Sequence, residues 1–294
     1  MNNTLASFFY PKLPSIIGHR GAYNSAPENT LISFRKAAQL GAKWIEIDVR
    51  LSSDKIPVVF HDNDVDRTTN GQGPMQDFTL KSLQKLDAGS HYHIDFSGEK
   101  VPTLLQTITL CIELNLGLNI EIKPNFGEAA ETVTAILATI NPFQEQLRGN
   151  VLFSSFDLLC LKELIKLCSE WPRALLVNDL NNDWLTNTKA LECYALNPNY
   201  NCLTSIENIK SILDSGLRII PFTVNHISIA KNLLRLGVHS IITDDLKSLN
   251  SLKNYKNRSH KKTYLSIAFI SWWRYSNCPH SPINIVNFSC HTAR

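Results

Sequence analysis

The chain has 294 residues, 44% of them hydrophobic and 19% charged, with Gly and Pro together at only 25 positions; this is enough apolar material for one large core and excludes disordered and fibrous classes. The net charge of +3 is unevenly spread: residues 246–294 carry eight Lys or Arg and no Asp or Glu, which leaves 21 basic against 26 acidic residues in 1–245. An acidic body excludes nucleic acid as the main partner, because tracking a phosphate backbone needs clustered Lys and Arg.

In chain order, short β-branched or apolar runs alternate with segments of helical period. The spacing predicts strands at Ser15–His19, Trp44–Asp48, Pro57–His61, Leu118–Lys123, Val151–Ser155, Ala174–Val177, Tyr194–Asn197, Arg218–Val224 and Ser240–Thr243. Pro27-Glu28-Asn29-Thr30 opens a helix that ends at Gly41, and Thr204-Ser205-Ile206-Glu207 has a capping-box pattern for a helix ending at Gly216. Nine strands do not close an eight-stranded barrel. However, the third follows the second too closely for a crossover helix, and a parallel return needs a dozen or more residues. Val49–Phe60 therefore reads as a hairpin turning at Asp54-Lys55, which places Asp48 opposite His61 and Glu46 on the same face as Asp48. Eight parallel strands remain, the pattern of an α/β (βα)8 TIM barrel over residues 1–250.

Residues 62–103 form a long insertion after strand 2, with turn residues such as Asn70-Gly71-Gln72-Gly73-Pro74. Long loops at this rim usually shape a substrate site. Residues 251–294 are set apart as a basic tail with no strand–helix alternation. Seven cysteines, an odd number with no C-x-x-C pair, exclude a disulfide framework or zinc knuckle. The N-terminal MNNTLASFFYPKLPS lacks the plan of an export leader, so the expected setting is cytoplasmic.

The chemistry-bearing residues fall at the C-terminal ends of predicted strands, where the active sites of these barrels are built. Glu46, Asp48 and Glu121 flank apolar strand residues and would point together into the barrel mouth. Taken singly, each is equally an ordinary charge paired at a strand end. Three in register repel one another unless a cation joins them, and all-oxygen ligands suit Mg²⁺, the preferred choice, or Ca²⁺. His19 and His61 sit at strand ends as proton carriers, whereas His91, His93, His226 and His239 are read as structural. Arg20 and Lys123 offer fixed positive charge to phosphate oxygens. No G-x-x-x-x-G-K-[ST], G-x-S-x-G or H-E-x-x-H pattern occurs, which disfavours P-loop nucleotidases, serine hydrolases and zincins.

His19-Arg20-Gly21, Pro27-Glu28-Asn29-Thr30, Ile45-Glu46-Ile47-Asp48-Val49, His61-Asp62, Arg67-Thr68-Thr69-Asn70-Gly71 and Glu121-Ile122-Lys123-Pro124 together resemble the signature of the glycerophosphodiester phosphodiesterases, in order and in spacing. Asp87-Ala88-Gly89-Ser90, Ser154-Ser155-Phe156 and Thr223-Val224-Asn225 extend the likeness over residues 15–250, and it is nearest to the cytoplasmic bacterial type. The resemblance implies a TIM-barrel enzyme that hydrolyses small glycerophosphodiesters, such as glycerophosphocholine or glycerophosphoethanolamine, to sn-glycerol 3-phosphate and an alcohol. It further implies metal binding by Glu46, Asp48 and Glu121, general base and acid roles for His19 and His61, and phosphate contact by Arg20 and Lys123. Phe222 stands where relatives often carry Trp or Tyr, keeping an apolar wall for glycerol without a polar tip. Gly237-Val238-His239-Ser240 and Leu246 also depart from the pattern, as does the tail. Its basic Lys253–Lys262 and its Trp272-Trp273 pair suit a membrane surface, but its irregular pattern favours no packed role. A related barrel phospholipase that releases a cyclic phosphate, and a non-catalytic binding protein on the same fold, are the alternative readings.

Overall fold

A computed structural model describes residues 10–180, 183–253 and 255. The basic and Trp-bearing part of the tail beyond residue 255 lies outside the described residues.

The chain runs β1 (Ile16–Gly18), α1 (Leu31–Gln39), β2 (Trp44–Leu51), β3 (Pro57–Val59), α2 (Leu80–Leu83), α3 (Leu104–Leu114), β4 (Gly117–Ile122), α4 (Ala129–Ile140), α5 (Gln144–Leu147), β5 (Val151–Ser155), α6 (Leu158–Cys168), β6 (Arg173–Val177), α7 (Trp184–Ala190), β7 (Ala195–Pro198), α8 (Ile206–Asp214), β8 (Arg218–Ile219), α9 (Ile227–Arg235), β9 (Ile241–Thr243) and α10 (Leu246–Leu249). Eight strands pair in parallel in the order β8-β7-β6-β5-β4-β2-β1-β9, and β3 lies off this path, antiparallel to β2. The sheet curls round, and its two margins meet: Ile242 N donates to Pro221 O at 3.0 Å, and Val224 N donates to Ile242 O at 2.9 Å. This is the α/β barrel with a hairpin after strand 2 that the alternation predicts.

The sequence pattern of β2 explains its place. All eight of its residues, WIEIDVRL, are buried, as expected of a parallel strand covered on both faces. One parity carries Ile45, Ile47 and Val49 into the layer beneath the helices, with Phe34 of α1 and Ile108 of α3 in the same cluster. The other parity points inward. There Trp44 joins Ile17, Leu152, Ala174, Ala195, Ile220 and Ile242 in an apolar floor, and Glu46 and Asp48 follow one and two steps nearer the C-terminal mouth.

The helices are started by local signals. Thr30 accepts from Ser33 N at 3.3 Å to open α1, and Thr103 and Gln106 form a reciprocal capping box on α3. For α8 the expected box on Thr204 and Glu207 is not used. Ser205 caps instead, accepting from Asn208 N at 3.1 Å, because the helix begins one residue later than the pattern suggested.

The hairpin register also differs from expectation. Val49, Arg50 and Leu51 pair with Val59, Val58 and Pro57, and Phe60 N donates to Asp48 O at 2.9 Å, so Asp48 faces Phe60 rather than His61. The cause is the turn. Ser52 N donates to Ile56 O at 3.0 Å, which leaves a three-residue loop whose last member, Lys55, takes a left-handed φ of 63°. A three-residue loop shifts the pairing by one relative to a two-residue turn at Asp54-Lys55. The insertion 62–103 then packs its own small core of Val65, Met75, Leu83, Ala88 and Val101 against Val58 and Phe60.

Candidate active site

The β1–α1 turn shapes one side of the mouth. A Cβ on Gly18 would lie 2.2 Å from Gly21 O, and one on Gly21, at φ +92°, would lie 2.4 Å from Ser33 Oγ, so both positions require glycine. Between them Arg20 holds a left-handed φ of 50°, a conformation that costs a side-chain-bearing residue energy and that the surrounding bonds must hold. Its reward is orientation: Arg20 N donates to Glu46 Oε2 at 3.0 Å, and its guanidinium lies 2.6 Å from Glu28 and 3.4 Å from Asp48.

The structure brings the three sequence-selected carboxylates together. Asp48 and Glu121 are register partners on β2 and β4, and one oxygen each from Glu46, Asp48 and Glu121 lie within 4.8 Å of one another. Burial pushes Glu121 up to about 7, with the Asp48 charge adding to it. Glu46 is pushed well above the usual carboxylate range by burial and by Asp48 and Glu121. Asp48 goes the other way, to about 2, because Arg20, Lys123 and His61, with a hydrogen bond from Asn29, outweigh its burial. Glu46 Oε1 is buried without a hydrogen-bond partner. Oxygen donors that repel one another when charged, one of them unpartnered, fit a hard divalent cation. Lys123 sits at their edge, 3.0 Å from Glu121 and 3.6 Å from Asp48.

His19 and His61 are each anchored by a carboxylate in the same manner. His19 Nδ1 is 2.6 Å from Asp244 Oδ1, with its Nε2 3.8 Å from Glu46 Oε2. His61 Nδ1 is 2.5 Å from Asp62 Oδ1. A carboxylate on Nδ1 holds the proton there and leaves Nε2 as the working nitrogen. Burial lowers the His61 value below the ordinary histidine one, with Arg20 and Lys123 acting in the same direction and Asp48 opposing. Phe222 lies past the end of β8, its ring edge-on to that of Phe156 at 5.8 Å, and the pair forms an apolar wall.

Several partners were not singled out from the sequence. Asn29 Nδ2 donates to Asp48 Oδ2 at 2.8 Å, Asn225 Nδ2 donates to Asp244 Oδ2 at 2.7 Å, and Glu28 accepts from both Arg20 and Arg67. Asn29, Glu28, Arg67 and Asn225 all lie in the segments that carry the resemblance, so that was the available signal. Spacing alone did not say what each would touch. Of the histidines set aside, His239 packs against the β8 backbone, with its Nδ1 3.2 Å from Ile219 N, and His93 caps a short turn through Asp95 N. Cysteine chemistry is absent from the described site: burial pushes the Cys111, Cys160, Cys168 and Cys193 thiols up to about 12, too high for a thiolate nucleophile.

Residues 19–248 match the glycerophosphoryl diester phosphodiesterase family. The chain belongs to that family. It is 35% identical over 238 residues to the glycerophosphodiester phosphodiesterase of Caldanaerobacter subterraneus subsp. tengcongensis, covering 81% of this chain and 96% of that one. It is 31% identical over 234 residues to the Bacillus altitudinis enzyme of the same name, covering 79% and 95%. Among solved structures, an Oleispira antarctica phosphodiesterase in complex with the product sn-glycerol-3-phosphate superposes with a TM-score of 0.78 at 35% identity, covering 81% of this chain and 96% of that one. The activity is accordingly that of a glycerophosphodiester phosphodiesterase. Among the described residues no helix is long and apolar enough to cross a membrane.

Proposed function

We propose that this barrel, residues 1–250, hydrolyses small glycerophosphodiesters such as glycerophosphocholine and glycerophosphoethanolamine to sn-glycerol 3-phosphate and the free alcohol. The observation that carries the reading is the pair of imidazoles, each anchored through Nδ1 by its own carboxylate, together with the three-carboxylate cluster of Glu46, Asp48 and Glu121. A glycerophosphate product is supported by the Oleispira antarctica relative, whose structure contains sn-glycerol-3-phosphate.

Glu46, Asp48 and Glu121 would hold a divalent cation, Mg²⁺ in preference to Ca²⁺. When bound, that ion neutralises charge on the phosphate and makes phosphorus more electrophilic. Arg20 and Lys123 orient the phosphate oxygens. His19 takes a proton from the attacking water as the new P–O bond forms, and His61 gives a proton to the alcohol oxygen as the old P–O bond breaks. Phe222 and Phe156 offer the glycerol moiety an apolar wall. The tail has no part in this scheme, and the setting is taken to be the cytoplasm, in keeping with seven cysteines that lack paired spacing.

The test is release of glycerol 3-phosphate from glycerophosphocholine by the purified full-length chain in EDTA, then with Mg²⁺ or Ca²⁺ restored. Metal-restored release is expected. Release undiminished by EDTA would remove the cation from the scheme, and a persistent cyclic phosphate in ³¹P NMR would replace direct hydrolysis.

A further inference from the structure

Arg67 lies on the insertion, well outside the cluster of carboxylates, and its side chain is 46% exposed. An exposed arginine at a loop usually contributes little. This one is different in its bonding. Nε and Nη2 donate to both oxygens of Asp62 at 2.6 and 2.9 Å. Nη1 and Nη2 donate to both oxygens of Glu28 at 2.6 and 2.9 Å. Two edges of one planar guanidinium are thus each matched to a carboxylate, which fixes both carboxylates relative to one another.

Each of those carboxylates has a second task. Asp62 Oδ1 holds His61 Nδ1 at 2.5 Å, and Glu28, whose side chain is 3% exposed, holds Arg20 Nη1 at 2.6 Å. His61, Asp62, Arg67, Glu28 and Arg20 therefore form one unbroken line of charge-assisted bonds. It links the histidine beyond β3 with the arginine after β1. The main chain on both sides is secured by other means. Arg50 Nε donates to His61 O at 2.9 Å, and Thr69 holds its own loop by donating to Val65 O at 2.7 Å and accepting from Gly71 N at 2.9 Å. Without Arg67 the backbone would stay, while the His61 ring and the Arg20 fork would lose the geometry that aims them.

We infer that Arg67 is a positioning residue: through Asp62 and Glu28 it sets the orientation of the His61 imidazole and the Arg20 guanidinium together, so that proton delivery and phosphate binding are aligned by one side chain of the insertion. The inference rests on the roles proposed for His61 and Arg20. A lysine cannot substitute, because one ammonium cannot present parallel donors to two carboxylates at once.

The experiment compares wild type with Arg67→Met, Arg67→Lys, Asp62→Asn and the double variant Arg67→Met with Asp62→Asn, measuring kcat and KM on glycerophosphocholine with Mg²⁺ and recording Tm. Arg67→Met is expected to lower kcat by about 10- to 100-fold, the range seen when outer partners of site ligands are removed, with KM changed much less. Arg67→Lys should remain close to Arg67→Met, and the double variant should lose clearly less than the product of the two single losses, because both substitutions reach the His61 ring through Asp62. In ¹⁵N-histidine NMR of the metal-free proteins, His61 should show one tautomer in wild type and a mixture in Arg67→Met. Rescue by lysine, a rise in KM at unchanged kcat, or multiplying losses in the double variant would each overturn the inference. An unchanged His61 tautomer in a folded Arg67→Met protein would also overturn it. Absence of wild-type turnover would count against the proposed substrate class, and the NMR comparison would still decide the role of Arg67.

Discussion

Replacing Glu121 by glutamine tests the charge balance of the site without any assumption about substrate. In the metal-free protein Glu121 is held at about 7 instead of 4.5, first by burial and then by Asp48; over that interval the anion is disfavoured by about 3 kcal/mol in the folded state. The sign follows from the raised value. Stability from the neutral carboxyl is fully present below about 4.5 and is lost as pH rises through about 7. Glutamine keeps the shape and cannot ionise, so it removes that loss. It leaves Lys123 with a charged neighbour, since Asp48 lies 3.6 Å away. Metal-free Glu121→Gln should therefore melt roughly 6–12 °C above the metal-free wild type at pH 8, taking about 2–4 °C per kcal/mol for a domain of this size. At pH 4 the two should be nearly equal. Calorimetry in EDTA at both pH values measures this. Added Mg²⁺ or Ca²⁺ should then raise the wild-type Tm at pH 8 and move the variant far less. A difference between the two proteins that does not change with pH, or a less stable variant at pH 8, would refute the reasoning.

Three further outcomes are expected. His19→Ala and His61→Ala should each lower kcat by about 10²–10⁴-fold with Tm preserved, and near-wild-type turnover in either would remove that histidine from proton transfer. Asn29→Ala deletes the hydrogen bond to the buried Asp48 and places alanine at a φ of 54°; a loss of about 1–3 kcal/mol in denaturant unfolding is expected, and none would show that the bond does not matter. The general acid must carry its proton, and burial, Arg20 and Lys123 hold His61 below its ordinary value. The descending alkaline limb of kcat/KM should therefore lie below pH 6.5, and Lys123→Met should move it to higher pH; a limb unmoved in that variant would take His61 out of the acid role.

Much of this architecture is legible from local pattern because local pattern causes it. Strand 2 alternates apolar and acidic residues, and the period of two alone puts Glu46 and Asp48 on one face. The absence of room for a crossover helix between Val49 and Phe60 forces an antiparallel return, which reduces nine strands to eight in parallel. What failed depended on single backbone angles. Lys55 enters the left-handed region and lengthens the hairpin loop to three residues, so Asp48 faces Phe60. No composition rule marks a lysine for that conformation. Likewise Thr204 and Ser205 are both competent caps, and the helix start one residue later decides between them.

The site divides in the same way, and the division has a physical basis. The inner carboxylates Glu46, Asp48 and Glu121 are legible because they share strands with apolar residues, where an acidic side chain is conspicuous. The outer ones are not. Asp244 meets His19 from 225 residues away, and Arg67 meets Glu28 across 39, separations that no spacing rule connects. The outer carboxylates are nevertheless the satisfied ones: Glu28 has two arginines, Asp62 has Arg67 and His61, and Asp244 has His19 and Asn225. Each of these three is held below the usual carboxylate range. The inner three share Arg20 and Lys123, enough to lower Asp48 to about 2 but leaving Glu46 and Glu121 raised. The outer acids therefore have their cations already, whereas at the barrel mouth Glu46 and Glu121 cannot ionise beside Asp48 without more positive charge than Arg20 and Lys123 supply, which is where a divalent cation can be received together with a phosphodiester.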